Sequence, residues 1–214
     1  MKIAEPDVSL TDFLLTAECM ALAWLLTGPA ENPLVQAWFI VAFLSVGISA
    51  LLGGISHGFL TKNENAVHKL VWRSTIAMLG VTALSMWVLA TEIIFGATAS
   101  EYVTIVAGLA LVGYVFVVVS RHPPFALALA YYVPAAAYLL LAFSVAAMHS
   151  GNKLLLIGTG GMALSLIAAW VQHKKISLHR RFFNHNALYH VLQGIALVGI
   201  YVAAYELLRT PPVS

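Results

Sequence analysis

Seven stretches of this sequence run for about 20 residues or more with almost no charged side chains, and no other feature limits the fold so severely. They cover roughly 9–28, 34–61, 66–92, 98–120, 125–148, 152–172 and 185–208. A helix needs about 20 apolar residues to cross some 30 Å of hydrocarbon, where every backbone N–H and C=O must be satisfied within the segment. The pattern predicts an all-α, polytopic membrane protein of seven transmembrane helices, with residues 1–214 forming one domain. Composition agrees: with 61% hydrophobic and 9% charged residues, a chain of 214 residues cannot bury its apolar surface in one soluble core. Turn-forming clusters separate the runs, "GPAENP" after the first, "TKNEN" after the second, "RHPP" after the fourth and "HSGNK" after the fifth. Pro134 is expected to bend the fifth run. The N-terminus has one lysine, then acids and Pro6, and no small-residue cleavage site follows the first run, so that run is expected to be retained. Cys19 is the single cysteine, which excludes an intrachain disulfide and a multi-thiolate metal site.

Lys and Arg set the orientation. With seven spans, the N-terminus and the loops after spans 2, 4 and 6 share a side. That side holds all the Lys and Arg residues except Lys153 and Arg209. Positive residues stay in the cytoplasm, which predicts an N-in/C-out integral multi-pass protein, with a bacterial plasma (inner) membrane as the expected location. The basic residues are few and accounted for by topology, so no nucleic-acid partner is expected.

The unusual polar residues fall in one layer on the same side. Asp12 and Glu18 lie in the nearer half of span 1, His57 near the end of span 2, His68 at the start of span 3, and Asn186 and His190 at the start of span 7. Ionisable groups inside a membrane are costly and normally face a cavity or a partner, so the layer is a candidate site. Asn186 and His190 are four residues apart and share a helix face that Gln193 extends. His185 points about 140° away from His190 and, with His122, His173 and His179, reads as an interfacial anchor. His57 ends a stripe of Ser45, Ser49 and Gly53, and Gly54 and Gly58 flank it with GxxxG spacing, which lets another backbone approach. Asp12, shallower and following Ser9 and Thr11, reads as a helix-start residue. Three imidazoles with a carboxylate or water would suit four-coordinate zinc, which makes His57, His68 and His190 the candidate metal ligands.

The arrangement resembles the CREST superfamily of seven-span membrane hydrolases, which includes alkaline ceramidases and the progestin and adipoQ receptors. "GGISH" (53–57) is similar to that superfamily's span-2 Ser-x-x-x-His motif at His57. "NALYH" (186–190) is similar to its span-7 His-x-x-x-His motif at His190, and Glu18 matches an acidic residue of span 1. Gly53 stands where the superfamily has serine and Asn186 where it has the first span-7 histidine. His68, eleven residues after His57, stands about where the ceramidase branch has aspartate. The resemblance implies a zinc-dependent hydrolase of a lipid amide or ester, with its site on the cytoplasmic side and membrane lipid as substrate or ligand. In that reading zinc on His57, His68 and His190 activates a water, Glu18 acts as base or orients a ligand histidine, and Asn186 or Gln193 donates to the oxyanion. Two other readings stay open: a non-catalytic receptor-like protein that binds metal or lipid, and a bis-His haem protein using His57 and His190.

The charge distribution has a direct check. A reporter fused to the C-terminus is expected to be active only on the outer face of the membrane; activity on the cytoplasmic face would overturn the orientation.

Overall fold

Prolines and asparagines start the helices where the apolar runs begin. Asn32 caps one helix by accepting the N–H of Val35, with Pro33 in the first turn, where a missing N–H costs nothing. Asn184 caps another by accepting the N–H groups of Asn186 and Ala187 at 2.8 and 3.2 Å. Gly96 and Gly151, with φ of 79° and 69°, make the left-handed turns that end two others.

The computed structural model describes residues 3–60, 66–121, 125–179 and 182–209. Among them are seven helices: α1 (Pro6–Leu25), α2 (Pro33–Ile55), α3 (Ala66–Phe95), α4 (Ala97–Arg121), α5 (Phe125–Ser150), α6 (Leu155–His173) and α7 (His185–Leu207). Each is long and apolar enough to cross a membrane. A π-helical turn, Ser56–Leu60, continues α2 and carries His57. The "TKNEN" loop, His122, Lys2, Arg180 and Arg181 lie outside the described residues. α1 starts at Pro6, earlier than the apolar run suggests, and α5 continues through Pro134 as one helix.

Six helices close a ring in which α1 packs on α2, α2 on α3, α3 on α5, α5 on α6, α6 on α7 and α7 on α1. α4 lies outside the ring against α3, where the Tyr114 hydroxyl donates to the Ile76 carbonyl and the Tyr114 ring stacks on Tyr131 of α5. The outer surface is apolar, with Trp24, Leu109 and Phe116 exposed, a pattern compatible with a multi-pass membrane protein.

Small residues let the helices approach closely. A Cβ on Gly161 of α6 would lie 2.6 Å from the Ala196 carbonyl oxygen of α7, and one on Gly199 of α7 would lie 3.0 Å from the Ile157 carbonyl. Neither backbone atom can move without separating the helices. Gly161→Ala is therefore expected to destabilise the protein by about 1–3 kcal/mol, the usual cost of overpacking. The adjacent Gly160 has nothing within 4 Å of its Cβ position, so Gly160→Ala should be neutral or slightly stabilising. Thermal unfolding of the two variants in detergent checks this, and equal shifts would contradict the packing argument.

Candidate functional site

A cavity of about 220 Å³ opens inside the ring at the end where α1 and α7 begin. Its polar lining comes from several helices: Asp12 of α1, Ser49 and His57 of α2 and its π turn, Thr75 of α3, Gln172 of α6, and Asn186, His190 and Gln193 of α7. π turns are rare and concentrate at functional sites, because the extra residue re-aims a side chain.

Asp12 is the centre of this layer. Because α1 begins at Pro6, Asp12 lies nearly two turns inside the helix, and it is only 2% exposed. Its Oδ1 lies 3.2 Å from Nε2 of His190, while its Oδ2, also buried, has no hydrogen-bond partner among the described residues. A Cβ on Gly53 would lie 3.2 Å from Oδ1 and 3.3 Å from Oδ2. The carboxylate thus fills the space a side chain at position 53 would need, a physical reason for glycine at the motif's first position.

The hydrogen bonds fix how protons are shared. Thr11 Oγ1 lies 3.1 Å from Nδ1 of His190, and also 3.0 and 2.9 Å from the carbonyls of Asp7 and Val8. A helical threonine gives its one proton back to such a carbonyl, so Nδ1 of His190 is the donor toward Thr11. Nε2 then either carries a second proton toward an ionised Asp12 or accepts one from a protonated Asp12. In both states one proton lies between Asp12 and His190.

The other polar groups are held in fixed directions. Ser165 donates to Oε1 of Gln193 at 2.9 Å, so the Tyr132 hydroxyl, 2.8 Å from Ser165, must be the donor in that pair. The Gln193 amide hydrogens remain for the cavity. Asn186 accepts from Gln172 at 3.4 Å, which likewise leaves its amide as a donor. His57 Nδ1 faces Glu5 at 3.3 Å, and the N–H of Ala4 donates to the Gly58 carbonyl, so the start of the chain is tied to the π turn. Asp7 accepts the N–H of Asn184, joining α1 to the start of α7.

His57 and His190 do line one cavity, together with Asn186. His68, half-buried on the first turn of α3, is not in the lining, and His185, expected at the interface, is. Glu18 lies elsewhere, in a second cavity of about 290 Å³ between α1 and α7 whose inner end is closed by Thr11 and His190. Among the described residues, no three His, Cys, Asp or Glu side chains converge as a metal-ligand set. As placed, His190 is turned onto Asp12 and His57 onto Glu5. Reading the sequence undervalued Asp12. The signals that mark it are Pro6, which starts the helix early, and the Gly53–Gly54 pair, which leaves room for a carboxylate at the same depth.

Fold and cavity together define a seven-helix, all-α bundle with a buried acid–imidazole pair at one end. The chain belongs to a family of unknown function, DUF6962, whose sequence profile covers residues 8–209. No curated protein and no solved structure matches it.

The contact between Gly53 and Asp12 can be measured. Gly53→Ala is expected to destabilise the protein, and the cost should shrink by about 0.5 kcal/mol or more in an Asp12→Ala background, as for residues in direct contact. A double-mutant cycle by thermal unfolding that gives purely additive values would contradict the packing described.

Proposed function

We propose that this chain is an integral, N-in/C-out protein of a plasma membrane that hydrolyses the ester or amide bond of a membrane lipid in the cavity around Asp12 and His190. One observation carries the reading: the buried Oδ2 of Asp12 has no partner among the described residues, while Oδ1 shares a proton with His190. An acceptor of this kind is costly to bury and is suited to take a proton from a water or ligand in the cavity. The donors of Gln193 and Asn186 line the same cavity, so a carbonyl oxygen and an attacking water can be held together. The resemblance to the seven-span hydrolases and the apolar outer surface both support lipid as the substrate class.

The reaction follows from these positions. Water attacks the acyl carbon as Asp12 Oδ2 takes one of its protons. The carbonyl oxygen gains negative charge and is stabilised by the amide hydrogens of Gln193 and Asn186. When the intermediate collapses, the bond to the alcohol or amine breaks, and the leaving group receives the proton from the Asp12–His190 pair. The products are a fatty acid and an alcohol or amine. The proposal extends to zinc on His57, His68 and His190, which would require His57 and His190 to turn away from Glu5 and Asp12. A second reading, lipid binding without turnover, is favoured by Gly53, which offers no hydroxyl where the seven-span hydrolases that the chain resembles have one.

The test offers a mixed lipid extract to the protein purified in detergent and measures released fatty acid together with bound metal. Asp12→Asn and His190→Gln are expected to lower release by about 10²-fold or more, the scale of a lost general base, while His149→Ala, at the other end of α5, should not. Release undiminished in Asp12→Asn would sink the catalytic role, and lipid retained by the wild type without product selects the binding reading. Bound zinc lost in His57→Ala and His190→Ala, but kept in His173→Ala, would establish the metal.

A further inference from the structure

We infer that the groove between α1 and α7 is a second binding site, separate from the Asp12 cavity, and that it takes the protonated amine of a single-chain amphiphile on Glu18. The α1 wall is Thr11, Leu14, Leu15 and Glu18, which recur at three- and four-residue steps along one helix face. Opposite them on α7 lie Val191, Gly194, Ile195 and Val198. Leu14 and Ile195 are 60% and 59% exposed, so the groove opens onto the apolar outer surface of the bundle.

Glu18 is the single charged side chain in this lining. It lies about 10 Å further along α1 than Thr11, half-buried, with no hydrogen bond or ion pair among the described residues. Its seat is built by Gly194: a Cβ there would lie 2.6 Å from Glu18 Oε2, so the carboxylate rests where any other residue would put a side chain. His190, at the inner end, cannot serve as counter-ion, because its two ring nitrogens face Thr11 and Asp12. A carboxylate amid hydrocarbon needs a cation or a proton. Charge complementarity selects a cation here, and the apolar walls select one with a hydrocarbon tail. A primary ammonium meets both conditions, since its three N–H groups can donate to the carboxylate while the chain lies along Leu14, Ile195 and Val198. The inference rests on the membrane setting proposed above but not on hydrolysis at Asp12.

The experiment places the full chain in nanodiscs of zwitterionic lipid and compares thermal unfolding with dodecylammonium and with dodecanol at equal membrane mole fraction. The amine is expected to stabilise the wild type more than the alcohol does. Glu18→Gln should abolish that difference and Asp12→Asn should keep it, which separates this site from the hydrolytic one. Gly194→Ala retains the charge but displaces Oε2, and is expected to weaken the amine response about tenfold, the scale of one hydrogen bond to a charged group. It serves as the test if Glu18→Gln does not fold. Equal effects of amine and alcohol on the wild type, or an unchanged amine response in Glu18→Gln or Gly194→Ala, would overturn the proposal. So would stabilisation by calcium alone with no response to the amine.

Discussion

The contact between Asp12 and His190 is the interaction on which this end of the molecule depends. An ionised carboxylate costs several kcal/mol to bury even after the surroundings relax, and an apolar helix cannot hold one without a partner from another helix. The partner comes from α7, 3.2 Å away, and Thr11 one residue earlier on α1 fixes the other side of the same ring. α1 and α7, the first and last helices, are thereby joined through polar atoms as well as through packing. α2 accommodates the pair with Gly53 and Gly54, whose missing side chains leave space for the Asp12 carboxylate and the Phe13 ring. Ser9, which donates to the Gly54 carbonyl at 2.9 Å, holds the two backbones at that distance.

Around this pair the cavity is polarised. Its acceptor, Asp12 Oδ2, belongs to α1, and its fixed donors, Asn186 and Gln193, belong to α7. Tyr132 of α5 and Ser165 of α6 contact no ligand-accessible acid, yet they decide which end of the Gln193 amide faces the cavity. Networks of this kind are effective only when every member is satisfied, so the orientation of a single amide on α7 draws on three helices. The His190 ring also divides the two cavities, one polar and enclosed by the ring of helices, the other apolar and open along α1 and α7. A glycine stands beside the carboxylate in each: Gly53 beside Asp12 and Gly194 beside Glu18.

The seven helices and the layer of polar residues at one end were legible in the sequence, because both are local properties. Whether a segment can cross a bilayer depends on its own length and side chains, and His57, Asn186, His190 and Gln193 reach one cavity because helix periodicity and depth bring them there. Asp12 was not legible at its true weight. The apolar run begins only three residues before it, so it reads as a helix-start residue, whereas Pro6 starts the helix earlier and the glycines of α2 enclose it. His68, on the first turn of α3, and Glu18, nearly two turns beyond Asp12 along α1, are not in the lining of that cavity.

What the sequence alone determined is the class of fold, the seven long apolar helices and the end at which polar side chains gather, since each follows from hydropathy summed along a single segment. The tertiary structure decided the partners: His190 with Asp12 and Thr11, His57 with Glu5, and Glu18 in its groove with no polar partner among the described residues. The physical reason is one of range. A hydrogen bond forms or fails within a few tenths of an ångström, and that distance is set by how closely α1, α2 and α7 approach across their glycines, a property of several helices together and of no one segment.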